Sequence, residues 1–431
     1  MAQYVETKLG GKSENKTLRK SLIRGMLGMQ HLIAMFGATV LVPIVTGLDP
    51  SVALFTAGFG TLIFHLCTKG KVPAFLGSSF AFIPVITLVM TKYGDLRYAQ
   101  GGMFVAGLIY VLTSFFIKKI GVSKIRNILP AQVVGPMIIV IGVNLIPTAL
   151  DMAGLNAFVA GEEGASINLI IAIITLGLAL SIKKVGKGFL GQLSILIAVI
   201  IGYIISLLFG QIDVSIIQNA EFIKIPNFTL PKFEIGAIMI VAPVVLAVFM
   251  EHIGDITTNG QVVGKNFIED PGLNRTLLGD GLATLMASMV GGPANTTYGE
   301  NTGVLAITKN YDPSILRITA VFAIILSCID KFGAVIRTIP SAVMGGISIM
   351  LFSMIAMIGV QTIKTEKVKF NAKNIIVMAT IIIVGLSGLV LNKPLEINIT
   401  TEISISGLSL AALVGVIVNA ILTKIFPNKI N

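Results

Sequence analysis

Apolar runs recur along the whole chain and restrict it more than any other feature. A helix that crosses a bilayer needs roughly 20 mainly apolar residues. That ruler predicts fourteen segments, near residues 27–45, 52–66, 79–90, 102–117, 133–150, 167–182, 189–209, 235–253, 278–290, 301–308, 315–336, 342–358, 374–391 and 405–425. Of the 431 residues 54% are hydrophobic and only 12% charged, against about 25% charged in soluble domains. The lipid bilayer is therefore the expected environment. The net charge of +11 does not point to nucleic acid, because the basic residues sit in short clusters between apolar runs rather than on one face.

Those clusters are topology signals. Lysine and arginine concentrate in short cytoplasmic loops, and a wrong number of spans would scatter them. With the N-terminus inside, the clusters Lys8, Lys12, Lys16, Arg19, Lys20 and Arg24, then Lys118, Lys119, Lys124 and Arg126, then Lys183, Lys184 and Lys187, then Lys364, Lys367, Lys369 and Lys373 all fall inside. The acidic loop with Asp151, Glu162 and Glu163 falls outside, and the tail with Lys424 and Lys429 returns inside. The expectation is a multi-pass protein of the cell membrane with both termini cytoplasmic. The polar stretch to about residue 20 lacks an apolar region followed by a small-residue cleavage site, so no removable signal peptide is expected.

The third and tenth segments are short and interrupted, and hold the same place in two successive sets of seven. Seven is odd, so the second set would enter the membrane upside down. Inverted repeats of this kind place substrate between two broken helices near the midplane. One break runs from Lys71 to Phe82; the other is a polar island from Pro293 to Gly303 that carries Glu300. Irregular backbone at membrane depth survives only when buried in protein or lining a cavity, and ionisable groups there mark substrate or ion pathways. The backbone amides near Phe80 and Gly299, at the starts of two half-helices, are expected to point at a ligand.

Glu251 and Asp255 close the eighth segment and lie four apart, on one helical face. Two crowded, partly desolvated carboxylates titrate as a coupled pair, a property that suits proton-coupled transport. His31, in the apolar first segment, reads as a packing or hydrogen-bonding residue. His65 reads as a span-end residue, and Asp330 with the adjacent Lys331 as an interface pair late in the eleventh segment. Asn398 to Thr400 matches a glycosylation acceptor, a short pattern that chance often produces. Cys67 and Cys328 lie in separate apolar runs, with no metal or disulfide spacing. No cofactor or metal is expected, and no nucleophile–base pair marks an enzyme.

The runs Gln30 to Pro43, Pro73 to Phe82, Glu251 to Asp255 and Asn295 to Val304 resemble the nucleobase:cation symporter-2 family, also called nucleobase-ascorbate transporters. The resemblance covers nearly the whole chain, from about Leu22 to Leu422, and is strongest to bacterial uracil-transporting members. It implies an all-α membrane protein of fourteen segments in two inverted repeats of seven, with short antiparallel strands in segments three and ten. It also implies a cytoplasmic tail (1–24), a core domain (25–126 and 213–338), a gate domain (127–212 and 339–431) and a possible homodimer through the gate. By position it places uracil contacts on Glu251 and Glu300, on the backbone of Phe80 and Gly299 with Ser79 beside them, and on Ala38, Tyr298 and Phe352 as pocket wall. Protons are the implied coupling ion, carried by Glu251, Asp255 and Glu300.

Purine-transporting relatives tend to have glutamine where this chain has Glu300, which favours uracil. Some relatives have histidine in place of Asp255 and tyrosine in place of Phe352, so the proton relay here is expected to run through a carboxylate pair. Three other readings compete. They are a xanthine or purine symporter of the same family, an anion transporter sharing the fold, and a channel. Half-helix N-termini suit anions, but glutamates in the pocket do not.

Overall fold

A computed structural model describes residues 13–120, 130–391, 394–398 and 404–425. The chain is mostly helical, with four three-residue strands among the described residues. Its first half contains α1 (Ser13–Thr46), α2 (Pro50–Cys67), β1 (Leu76–Ser78), a 3-10 turn (Phe80–Phe82) leading into α3 (Ile83–Tyr93), and α4 (Leu96–Ile120). There follow α5 (Ala131–Met152), α6 (Leu155–Val159), α7 (Ala165–Val185), α8 (Phe189–Gln192), α9 (Ser194–Leu208) and α10 (Ser215–Asn219). The second half contains α11 (Ile235–Val241), a 3-10 turn (Ala242–Val244), α12 (Val245–Val263), α13 (Leu273–Met289), β2 (Asn295–Thr297), α14 (Gly299–Thr308), α15 (Pro313–Ser327) and α16 (Asp330–Arg337). It ends with α17 (Ser341–Thr365), α18 (Ala372–Leu391), the pair β3 (Glu396–Asn398) and β4 (Ser404–Ser406), and α19 (Gly407–Ile425).

Among the described residues, nine helices are long and apolar enough to cross a membrane, and a tenth span arises if the bent pair α15 and α16 is counted as one. The other expected segments appear as shorter helices, Phe80–Tyr93, Ser194–Leu208, α13 and α14. Local signals set the helix starts. The tripeptide Asp-Pro-Ser opens both α2 and α15: the Asp49 and Asp312 carboxylates accept the N–H of Ser51 and Ser314 at 2.8 and 2.9 Å, and the proline occupies the first turn, where no N–H is needed.

Three expectations need correction. The eighth span does not end at residue 253; α12 continues to Val263, where Gly264 caps it in the left-handed region, so Glu251 and Asp255 lie mid-helix. The residues beyond Ile253 are polar because they face protein and a cavity rather than lipid. The eleventh span is not straight but bends by 81° after α15. Its last part, α16, carries Asp330, Lys331 and Arg337 on a strongly amphipathic helix that cannot continue through an apolar medium. Asp330 and Lys331 do not pair with each other. Arg337 donates to Asp330 at 2.9 Å, and Lys331 Nζ donates to the carbonyls of Ile217 and Gln218 at 2.7 and 2.9 Å. Among the sequence signals, Lys8, Lys12, Lys124, Arg126, Lys429 and Thr400 lie outside the described residues, as do the side chains of Lys16, Arg19 and Lys20.

Two packing groups emerge. In one, α4 packs on α13, α13 on α2, α2 on α15 and α15 on α1, with α11 against α4. In the other, α5 packs on α17, α17 on α7, α7 on α9, and α18 lies against both α5 and α19. The α5–α17 contact is backbone-close. A Cβ on Gly142 would stand 2.5 Å from Ala356 N and 2.6 Å from the Phe352 carbonyl, both of them backbone atoms. Gly142→Ala is therefore expected to lower the melting temperature of the detergent-solubilised protein, by the equivalent of about 1–3 kcal/mol for an overpacked site. Gly177→Ala, where no atom lies within 4 Å, should leave it unchanged or raise it; equal effects of the two would contradict this packing.

Candidate functional site

Strands β1 and β2 are the two irregular stretches of the sequence, and they pair with each other. The ladder is antiparallel, Leu76 opposite Thr297, Gly77 opposite Thr296 and Ser78 opposite Asn295. It is extended by Ser79 N–H donating to the Ala294 carbonyl at 2.8 Å and Tyr298 N–H to the Phe75 carbonyl at 2.9 Å. Side chains complete the accounting. Thr61 Oγ1 accepts from Leu76 N–H at 2.9 Å, and Thr284 Oγ1 accepts from Asn295 N–H at 3.2 Å. Asn259 Nδ2 donates to the Pro73 carbonyl at 2.9 Å, and Asn295 Nδ2 to the Thr56 carbonyl at 2.9 Å. Backbone groups at this depth would each cost several kcal/mol unpaired, and the breaks are held by one another and by their neighbours.

Each strand then delivers its chain to a helix start. The 3-10 turn at Phe80 and α14 at Gly299 both begin without a side-chain hydrogen bond capping the first turn. Their N–H groups are thus available to a ligand. A Cβ built on Gly299 meets nothing within 4 Å, so this backbone borders open space. Glu300 is half-buried in the first turn of α14 and lies within electrostatic reach of Glu251 and Asp255.

A cavity of about 950 Å³ opens between the two packing groups. Phe80, Glu251, Gly254 and Asp255 line it, together with Ile138 and Ile141 of α5 and Ile355 of α17. Amides and hydroxyls, among them Gln261, Gln361, Thr362 and Asn371, line the remainder, which extends to Glu366 and Lys369 in the loop after α17. Asp255 is tied to the second strand, since Thr297 Oγ1 donates to its Oδ2 at 3.1 Å. Glu251 and Asp255 thus share the cavity-facing side of α12, one turn apart.

The other expected site residues lie differently. Ala38 and Tyr298 are buried in one apolar cluster with Phe75, against which Phe80 packs. The Tyr298 hydroxyl donates to the Ser78 carbonyl at 3.0 Å. Ser79 is fully buried, its hydroxyl without a hydrogen-bond partner, and Phe352 is fully buried behind the cavity wall formed by Ile355 and Ile358. His31 is structural in its contacts: Asn301 Nδ2 lies 3.1 Å from both its ring Nδ1 and its carbonyl. His65, in the last turn of α2, reaches the Ala74 carbonyl at 2.9 Å. Cys67 and Cys328 are free thiols.

Sequence reasoning missed the buried amides Asn259 and Asn301 and the pair His252 and Asp280. His252 Nδ1 stands 3.6 Å from Asp280 Oδ2 on the side of α12 away from the cavity, while His252 Nε2 is 3.0 Å from Thr276 Oγ1. One signal was present for Asn259: it follows Asp255 by four residues, on the same face of a helix that hydropathy ended too early.

A helical membrane protein with two broken helices crossing beside a carboxylate-lined cavity is a transporter by architecture. Solved structures agree on the fold: the transmembrane domain of the cyanobacterial bicarbonate transporter BicA aligns with a TM-score of 0.62 at 17% identity, covering 92% of this chain and 97% of that one. Murine Slc26a9, an anion transporter in its inward-facing state, aligns with a TM-score of 0.71 at 11% identity, covering 95% and 69%. Residues 24–393 match the model of a family described as "Permease family". The chain is 40% identical over 403 residues to a probable uracil permease of Pasteurella multocida, covering 93% of this chain and 94% of that protein. It is 41% identical over 405 residues to the uracil permease of Bacillus caldolyticus, covering 92% and 91%. The chain belongs to this permease family, the nucleobase:cation symporter-2 transporters, and is an integral membrane transporter, not an enzyme.

If Asn259 holds the first strand in place, Asn259→Ala should strip the Pro73 carbonyl of a buried donor and destabilise the protein by about 1–3 kcal/mol. Thermal unfolding of the purified protein measures this, and an unshifted transition would mean that the amide holds nothing.

Proposed function

We propose that this protein is a proton-coupled symporter that imports uracil across the cytoplasmic membrane. The observation that carries the reading is the pair Glu251 and Asp255 on the cavity face of α12, lining the same cavity as Phe80 and within electrostatic reach of Glu300. Uracil is flat, with two N–H donors and two carbonyl acceptors. Carboxylates accept the former and uncapped backbone amides supply the latter. Glu251 and Glu300 are assigned to the ring N–H groups, and the amides at Phe80 and Gly299 to the carbonyls. The uracil permeases among the relatives support the substrate, and Glu300 in place of glutamine favours uracil over purines.

Glu251 and Asp255, one helical turn apart, are assigned the coupling role. With a proton on the pair, Glu251 loses its repulsion from Glu300 and the occupied site can move through an apolar environment. Loss of that proton on the cytoplasmic side restores the repulsion and releases uracil. Motion of a core (residues 25–126 and 213–338) against a gate (127–212 and 339–431) would expose the site to each side in turn.

The packing supports fourteen segments in two inverted repeats. A two-fold exchange of the halves turns the α4–α13 contact into α15–α2, α1–α15 into α11–α4, α17–α7 into α5–α18, and α7–α9 into α18–α19. The same exchange maps α5–α17, α2–α13 and β1–β2 onto themselves. The cavity reaches the loop that carries Glu366 and Lys369, on the side where the positive loops place the cytoplasm. Carboxylates at the cavity disfavour the anion cargo of the structural neighbours.

In proteoliposomes, Glu251→Ala and Glu300→Ala should each abolish labelled-uracil uptake while eluting as folded protein; wild-type uptake by either would remove that residue from the site. Wild-type uptake should rise with an imposed inward proton gradient, and indifference to that gradient would overturn the coupling. Gly299→Val, which meets no neighbouring atom with its Cβ, should fold normally yet reduce uptake by crowding the amide. Full uptake would place the ligand elsewhere.

A further inference from the structure

The segment joining α9 to α11 looks like a long solvent loop in sequence, but its contacts are not those of one. Its backbone is fixed to the ends of three helices. Lys224 N–H donates to the Cys328 carbonyl at 2.9 Å just past α15, Thr229 N–H to Val290 at 3.2 Å just past α13, and Lys232 N–H to Arg97 at 2.9 Å in the first turn of α4. These carbonyls include helix ends that have no intrahelical partner. Two further residues, Pro226 and Pro231, have no N–H to satisfy. Lys232 Nζ is also held by Asp95 at 3.0 Å. Hydrogen bonds from Arg97 keep that carboxyl well below the usual carboxylate range.

The segment runs along the flank of the helices, not only over their ends. Phe228 packs edge-on against Phe55 at 5.0 Å, and Phe233 against Phe104 at 5.5 Å. Phe104 lies eight residues into α4, roughly 12 Å along the axis. A Cβ on Gly101 would strike the Lys232 carbonyl at 2.0 Å, so α4 is cut away where the segment crosses it. Around these anchor points Phe222, Ile225 and Leu230 project outward at 71%, 74% and 73% exposure. At its C-terminal end the segment runs directly into exposed Ile235, the first residue of α11 and of a span apolar enough to cross a membrane.

We propose that residues 221–235 form a membrane-interface strap, with Phe222, Ile223, Ile225 and Leu230 inserted into the headgroup–acyl boundary of phospholipid. Lipid is the occupant because the segment runs directly into the span that begins at Ile235, and because Phe228 and Phe233 pack edge-on one to two turns inside the membrane-spanning helices they touch. The headgroup boundary suits such a segment: it is anchored at Lys224, Thr229 and Lys232 and interrupted by two prolines, and its remaining N–H groups can meet water there, as they could not in the acyl core.

The chain has no tryptophan, so single replacements report without background. Phe222→Trp, Ile225→Trp and Leu230→Trp, each in the full chain reconstituted into phosphatidylcholine vesicles, should give blue-shifted emission. That emission should be lost to lipids brominated near the headgroup more than to lipids brominated near the chain end. Quenching by aqueous iodide without quenching by brominated lipid would overturn the strap. So would protection from both, which means that protein, such as a second copy of the chain, covers the surface. Three separate exposed positions keep the test intact if one variant elutes as aggregate.

Discussion

Everything at the centre of this molecule depends on one short antiparallel pairing. Two chain breaks enter the membrane-spanning region from distant parts of the sequence, and neither satisfies its own backbone. β1 and β2 solve the problem by bonding to each other. The threonine and asparagine side chains of the surrounding helices take up groups the ladder leaves over. The consequence is positional. Because the extended segments are fixed, the first turns after them at Phe80 and Gly299 are fixed as well, and they are left without side-chain caps. Satisfaction of the strands and availability of the helix starts are two results of the same arrangement.

Helix α12 carries the carboxylates that this scaffold holds in place. Its two faces carry different polar groups. Glu251 and Asp255 face the cavity, while His252 turns to Thr276 and Asp280 of α13. Thr297 of the second strand reaches Asp255 directly, and Asn259 reaches both the first strand and Thr302 of α14. A change in the charge state of Asp255 would therefore act directly on Thr297 of the strand pair.

Much of this was legible in the residues. Apolar runs located the spans, and proline, glycine and polar residues located the two breaks, since lipid tolerates neither without cause. Hydropathy failed where polar residues face protein: Thr257, Asn259 and Gln261 ended the predicted eighth span ten residues early. It failed again after α15, where α16, with Asp330, Lys331 and Arg337, turns by 81°. The partners of Asn259, Asn301 and His252 were not legible, because they are set by helix contacts between residues far apart in sequence. Ala38, Tyr298 and Phe352 entered through family resemblance alone, and here they are packed in the interior rather than on the cavity wall.

The fold's neighbours sharpen what the site residues decide. The same architecture serves a bicarbonate transporter and an anion transporter, and helix starts without side-chain caps are by themselves an attractive place for negative charge. On the proposed assignment, a ligand at these helix starts also meets Glu251 and Asp255 of α12 and Glu300 in the first turn of α14. An anion would meet like charge there, whereas a neutral ring that donates N–H to the carboxylates and accepts from the amides uses both halves of the site. On this proposal the scaffold supplies donors in fixed positions, and a few acidic side chains on one helix face and one half-helix would decide which class of ligand those donors can hold.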